Sequence, residues 1–205
     1  MNNVIKIGIT GSIGMGKSTI GRMLKLFKIP VYDSDQEVKK LLNSNKVVIR
    51  KIKKLWPEVQ SKNKLILDKT KLREIVFFRE KERKRLENII HPLIKRKKEI
   101  FIEKNIQKKI IAFDIPLLYE TNQQNQYDYI FLAVCNKKAQ TKRVLKRENM
   151  TERVFNKINN VQMSVSEKLR QKPIVINTNS LLYVTFFSVM IKIIYIKLIN
   201  YNLKK

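Results

Sequence analysis

Apolar residues follow two rhythms along this chain of 205 residues. Five short runs, Val4-Ile5-Lys6-Ile7-Gly8-Ile9-Thr10, Ile29-Pro30-Val31-Tyr32, Ile110-Ile111-Ala112-Phe113-Asp114, Tyr129-Ile130-Phe131-Leu132-Ala133-Val134 and Ile174-Val175-Ile176-Asn177, are rich in β-branched and aromatic residues. Each is bounded by polar or helical segments, which predicts five strands. The runs do not alternate apolar with polar, as expected of parallel strands covered on both faces. Elsewhere the spacing is helical. Ile20, Met23, Leu24 and Phe27 repeat this way after the first strand, and residues 36–108 carry Val38, Leu41 and Leu42, then Val47, Val48, Ile52 and Leu55, then Leu72, Ile75 and Val76, then Leu86, Ile89 and Ile90. Pro92 is expected to restart a helix bearing Leu93, Ile94, Ile100 and Phe101, and Leu65-Ile66-Leu67 is the one short strand-like run in this stretch.

This alternation predicts a three-layer α/β fold with a mostly parallel sheet of about five strands. It is read as a single domain over residues 1–205, with a helical insert at about 38–107 and a helical lid at about 137–172. Residues 181–199 are very apolar. Their longest uncharged piece is bounded by Lys192 and falls short of the ~20 residues a bilayer needs, so they are expected to form a final helix packed on the sheet, with no membrane as partner.

Between the first strand and the first helix stands Gly11-Ser12-Ile13-Gly14-Met15-Gly16-Lys17-Ser18, a full G-x-x-x-x-G-K-[ST] phosphate loop in the strand-loop-helix setting such a loop requires. Its glycines let successive backbone N–H groups turn inward at a helix N-terminus, which surrounds phosphates with donors. Lys17 adds a charge that reaches the β and γ phosphates, and the Ser18 hydroxyl is a ligand for Mg²⁺ bridging them. The pattern predicts a P-loop protein that binds a nucleoside triphosphate.

Charge changes this picture little. The 44 Lys+Arg against 17 Asp+Glu give a formal net charge of +27, a balance that by itself points to a polyanionic partner. The basic residues are mostly Lys, spread along the whole chain beside abundant Ile and Asn, and no basic block is interleaved with aromatics as a base-stacking surface requires. No specific nucleic acid is expected, although nonspecific binding to polyanions at low salt is. Cys135 is alone, so neither a disulfide framework nor a cysteine metal cluster is expected, and it reads as a small buried hydrophobe in a reducing, cytoplasmic setting. The short N-terminal apolar segment is interrupted by Lys6 and used as a strand, which is not a signal peptide.

Three further clusters suit phosphoryl transfer. Asp33 and Asp35 end the second strand, at the edge where open α/β sheets take their ligands. Either can accept a proton from an attacking hydroxyl or hold the metal through water, with Asp33 favoured for catalysis and Asp35 also suited to cap the helix from Gln36. Asp114, at the end of the third strand, fits an acidic group that assists Mg²⁺ or a turn before Pro116. Residues 137–147 predict a basic helix in which Gln140, Arg143 and Arg147 share one face, either solvated or presented to a transferring phosphoryl group.

These residues together resemble the dephospho-coenzyme A kinases over nearly the whole chain. The matching segments are Ile9-Thr10-Gly11-Ser12-Ile13-Gly14-Met15-Gly16-Lys17-Ser18-Thr19, Asp33-Ser34-Asp35, Leu72-Arg73-Glu74-Ile75-Val76-Phe77, Leu86-Glu87-Asn88-Ile89-Ile90-His91-Pro92, Asp114-Ile115-Pro116-Leu117-Leu118-Tyr119-Glu120, Gln140 with Arg143 and Arg147, and Gln162. The chain differs from the family's usual pattern at Lys157, at Lys172-Pro173 and in having no glycine from Asn177 to Ser180.

The resemblance implies ATP-dependent phosphorylation of the ribose 3′-hydroxyl of dephospho-CoA, the last step of coenzyme A synthesis. It implies Asp33 as general base, Lys17 and Arg143 as stabilisers of the γ phosphoryl, and Ser18 as the Mg²⁺ ligand. Gly11 to Thr19 and Arg147 would hold ATP, and Asp35, Arg73, His91, Asp114, Leu117 and Glu120 would lie on the acceptor side. His91 is expected to be structural, at a helix start. A monomer or weak oligomer is expected. Two alternatives share the loop: another P-loop small-molecule or nucleotide kinase, and a basic ATP-switched RNA-binding protein. No Asn-Lys-x-Asp segment for guanine is present.

Overall fold

The structure is a computed structural model that describes residues 4–61, 66–148, 150–179 and 181–202. In chain order the elements are β1 (Ile5–Thr10), α1 (Lys17–Leu26), β2 (Val31–Asp33), α2 (Ser34–Ser44), α3 (Lys46–Leu55), α4 (Lys69–Phe78), α5 (Glu80–Lys104), β3 (Ile110–Asp114), β4 (Tyr129–Val134), α6 (Lys137–Leu145), α7 (Glu152–Val161), α8 (Val165–Arg170), β5 (Ile174–Asn177) and α9 (Leu182–Asn202). They form two compact units, one of Met1–Tyr32 with Asn105–Lys205 and one of Asp33–Lys104.

The first unit holds the sheet, in the order β2-β3-β1-β4-β5. β1 pairs in parallel with β3, Ile9 opposite Asp114, and with β4, and β4 pairs in parallel with β5. The expected α/β fold with a five-stranded parallel sheet is therefore present. Its core joins Ile7 and Ile9 of β1, Ile20 and Leu24 of α1, Phe131 and Ala133 of β4, and Ile176 of β5 to Val189, Ile193 and Ile196 of α9. Full burial of an aliphatic side chain contributes about 1.5–3 kcal/mol, which is why the apolar strand runs are buried against α1 and α9.

β2 starts at Val31, two residues later than its apolar run. The cause is the way α1 ends. Lys28 adopts φ 58, its N–H donates to the Lys25 carbonyl, and the Ile29 N–H donates to the Leu24 carbonyl. This is a Schellman closure with lysine where glycine is usual. It uses Ile29 as a buried apolar stop before the chain becomes a strand.

The second unit has its own core of Leu41, Val48, Ile49, Ile52, Trp56, Val59, Leu72 and Ile90. Two expectations are corrected here. Pro92 does not restart a helix, because α5 runs unbroken from Glu80 to Lys104 with Pro92 inside. Proline cannot donate to the carbonyl four residues back, but Leu86, Ile89, Ile90 and Ile94 all pack on this core, and that tertiary packing holds the helix through the gap. His91 is consequently an exposed mid-helix residue and not a helix start. In the strand-like run, Leu65 lies outside the described residues, and Leu67 makes only an isolated antiparallel bridge to Gln60.

Trp56, the sole tryptophan, donates its indole N–H to Glu82 Oε2 at 2.8 Å. That bond, helped more weakly by Arg85 and Arg79, holds the Glu82 carboxyl below the usual carboxylate range against the opposing effect of burial. A depressed folded-state value stabilises the fold fully above the unfolded carboxylate pKa of about 4.3, and the gain disappears as pH falls through the folded value. The difference in melting temperature between the unmodified protein and Glu82→Gln should therefore be constant at neutral pH and shrink below about pH 4, with Trp56 fluorescence as the readout. A difference that does not vary with pH would remove Glu82 ionisation from the stability of this unit.

Candidate active site

The phosphate loop leaves the carboxyl end of the central strand β1 and ends as the N-terminus of α1, the edge where open parallel sheets take their ligands. Two of its glycines have no substitute. Gly14 has φ 79, and a Cβ there would lie 2.5 Å from Val144 Cγ2; Gly16 has φ 97, and a Cβ there would lie 2.8 Å from Thr178 Oγ1. α1 starts with Gly16 as its N-cap, no capping side chain and no acidic residue in its first turn. The positive end of the helix dipole is thus left uncompensated, which favours an anion.

The loop is braced from distant parts of the same unit. The Gln162 side-chain Oε1 accepts from the Ile13 N–H at 2.9 Å, and Gln140 Nε2 donates to the Ile13 carbonyl at 2.8 Å. Thr178 Oγ1 lies 2.6 Å from the Met15 carbonyl and 3.2 Å from that of Val134. With one hydrogen to donate, the hydroxyl makes the shorter bond. It also accepts from Arg143 Nη1 at 3.1 Å, while Arg143 Nη2 donates to the Thr178 carbonyl at 2.6 Å. Thr178 therefore ties an arginine of α6 to the loop.

Together these residues border a cleft of ≈ 390 Å³ lined by Gly14, Gly16, Lys17, Ser18, Thr19, Arg22, Arg143, Arg147, Thr178, Leu182 and Thr185. Four cations face it, at an open helix N-terminus. Lys17 Nζ donates to the Gly11 carbonyl at 2.6 Å. Gly11, Ser12 and Met15 are buried behind the cleft, and Ile13 is half-buried. The basic helix ends at Leu145 instead of Arg147. Arg147 follows in the turn beyond and still reaches the same cleft as Arg143.

The expected acceptor-side residues are distributed as follows. Asp114 is buried at the end of β3, and Leu117 is exposed. Glu120 Oε1 accepts from the Met163 N–H at 2.9 Å and lies 2.9 Å from Nζ of the fully buried Lys168. This pair fixes the segment beside Gln162, the residue that grips the loop. Asp33, Asp35, Arg73 and His91 belong to the second unit. There the cap of α2 is Asp33 and not Asp35: Asp33 Oδ1 accepts from the Gln36 N–H at 2.8 Å. The helix starts at Ser34, two residues earlier than expected, so Asp35 falls in its first turn. Arg73 is exposed on α4.

Cys135 lies 3.5 Å from Met15 Sδ. Burial pushes its thiol up, with Arg143 and Thr178 opposing more weakly. For Mg²⁺, the donor chemistry fits. Ser18 offers a hydroxyl in the cleft, and magnesium at phosphates takes only one or two protein ligands. Among the described residues no group of three His, Cys, Asp or Glu suits a metal held by protein alone.

Sequence reasoning missed Arg22, Thr178, Leu182 and Thr185. Arg22 was within reach, since it follows Ser18 by one helical turn. The others depend on the pairing of β4 with β5 and on the docking of α9. Thr178→Val keeps the shape and removes the hydroxyl. The buried Met15 carbonyl then loses its donor, which costs about 1–3 kcal/mol. We expect a lower melting temperature and a KM for ATP raised several-fold; unchanged values in both would show that the loop holds its form without Thr178.

Comparison with known proteins agrees with this geometry. A family model described as dephospho-CoA kinase matches residues 5–183. A dephospho-CoA kinase of Bacillus thuringiensis subsp. konkukian is 31% identical over 179 residues, covering 85% of this chain and 88% of that protein. One from Bartonella quintana is 36% identical over 174 residues, covering 84% and 88%. Among solved structures, TT1252 from Thermus thermophilus superposes with a TM-score of 0.81 at 25% identity, covering 96% of this chain and 98% of that one. A dephospho-CoA kinase from Campylobacter jejuni shares the fold with a TM-score of 0.62 at 23% identity, covering 93% and 95%.

Proposed function

The chain belongs to the dephospho-CoA kinase family, and on that premise we propose how its residues carry the family's reaction. The enzyme is a transferase that phosphorylates dephospho-CoA with ATP in coenzyme A biosynthesis. The observation that supports the assignment of roles is the cationic cleft at the start of α1.

In this reading the loop N–H groups and Lys17 bind the β and γ phosphates of ATP, Arg143 and Arg147 face the transferring group, and Ser18 ligates Mg²⁺. Held by Ser18, Mg²⁺ would neutralise charge on the phosphates. Asp33 accepts the proton of the ribose 3′-hydroxyl as that oxygen bonds to the γ phosphorus. The bond from the γ phosphorus to the oxygen bridging it to the β phosphate breaks, and ADP leaves. Lys17 and Arg143 hold the charge that spreads over the γ oxygens, the kind of preorganised donor whose loss costs 10²–10³ in rate. Asp35, Arg73, His91, Asp114, Leu117 and Glu120 serve the acceptor side, with about residues 38–107 as the acceptor-binding insert and about 137–172 as the lid. We assign the enzyme to the cytoplasm, as a monomer or weak oligomer with no specific nucleic acid partner.

Incubation with Mg-ATP and dephospho-CoA, followed by chromatography of the CoA formed, tests this reading. CoA should form, cease with EDTA and return with added Mg²⁺. ATP turnover without CoA, or transfer to other hydroxyl acceptors instead, would overturn the acceptor assignment.

A further inference from the structure

The helix α9 packs on the sheet as expected, and only one of its faces is covered. Val189, Ile193 and Ile196 join the core of the sheet, with Thr185 buried on the same side. At about 100° per residue, Tyr183, Val184, Phe187, Ile191, Ile194, Tyr195 and Leu198 fall on the opposite face. Each of these seven is between 44% and 61% exposed. A helix apolar all round is ordinarily buried all round, and a contiguous apolar strip in solvent marks an interaction surface.

Charge identifies the occupant. No acidic residue follows Glu167 anywhere in the sequence. On the helical projection Lys192 and Lys197 lie roughly 100–120° to either side of the strip, where their stems run along apolar surface and their ammonium groups reach polar headgroups. At the N-terminal part of α9, Phe186 stacks on Phe27 at 4.8 Å, next to the exposed Lys25, Leu26 and Lys28 that close α1. The two tyrosines combine an apolar ring with a polar tip, as interfacial positions favour. Two copies of a chain with net charge +27 repel one another, whereas an anionic lipid surface is complementary to both the strip and its flanks.

We propose that the outer face of α9 seats the protein on the surface of an anionic bilayer, lying flat in the headgroup region. Full insertion is excluded by the inner face, since Val189, Ile193 and Ile196 would have to leave the core. This is a surface for localisation, independent of the kinase chemistry.

The test is co-sedimentation of the full-length protein with vesicles of phosphatidylcholine containing about 30% phosphatidylglycerol, and with pure phosphatidylcholine, at physiological salt. Binding is expected to the anionic vesicles, and to weaken at least about tenfold in Phe187→Ser/Ile191→Ser, which keeps every charge. CoA formation without vesicles should be unchanged in that variant, which shows that it is folded. In a second readout, Phe187→Trp should shift its emission to the blue on anionic vesicles, against a constant background from Trp56, which is 4% exposed in the other core. Equal binding by the double variant would reduce the effect to adsorption by net charge and overturn the proposal. So would no binding at all, no fluorescence shift, or a concentration-dependent dimer that the double substitution abolishes.

Discussion

Replacing Lys17 by alanine should lower phosphoryl transfer to dephospho-CoA by about 10²–10³-fold while leaving the protein folded. The expectation rests on what Lys17 does and on where it sits. It is the first residue of α1 and lines the cleft, so its ammonium is the point charge nearest the helix terminus that receives the phosphates. A preorganised cation at a developing oxyanion contributes about 3–4 kcal/mol to the transition state, and each 1.4 kcal/mol is a factor of ten. The structural loss is small. Nζ donates to the Gly11 carbonyl at 2.6 Å, a loop contact outside the hydrophobic core, and alanine is the best helix former. The melting temperature should therefore hold, and weak ATP binding through the loop N–H groups should survive. Single-turnover transfer measured on a variant with an unchanged thermal transition checks this. Near-normal transfer would take the phosphate loop out of the mechanism.

The parts of this molecule that were legible in the sequence are those encoded over a few neighbouring residues. The five apolar runs became the five strands; β1, β3 and β4, inside the sheet, carry the unalternated burial their sequences suggest, while β5 at the edge leaves Val175 exposed. The phosphate loop was legible because glycine is needed wherever a Cβ would collide, as at Gly14 and Gly16. The family was legible through segments such as 114–120, and the comparisons bear it out.

What was not legible depends on partners distant in sequence. Pro92 carries a local signal to break a helix, which packing of Ile90 and its neighbours overrides. Lys168 looks like any surface lysine until Glu120 is found 2.9 Å from it. Thr178 matters because β5 runs beside β4 and brings its hydroxyl to Met15. The apolar composition of α9 pointed to burial, but a helix on one side of a sheet has one face to bury, and composition does not say that the other stays in solvent.

Asp33 shows how two roles of one residue can be separated. Its Oδ1 is engaged with the Gln36 N–H as the cap of α2, so a substitution that removes both oxygens perturbs the helix as well as any proton transfer. Losing an N-cap costs about 1 kcal/mol, whereas losing a general base costs about 10²–10⁴ in rate. Asn is among the best N-caps and cannot serve as a base, so Asp33→Asn should preserve the melting temperature while kcat falls by about 10²–10³ and the KM for ATP stays near its original value. Asp33→Ala should show the same loss in kcat together with a lower melting temperature. The comparison of the two variants decides the role. If Asn restores most of the activity that Ala loses, Asp33 acts as a cap that shapes α2. If both lose kcat alike and only Ala loses stability, its carboxylate takes the proton from the acceptor, and the cap holds one oxygen in place while the other meets the substrate.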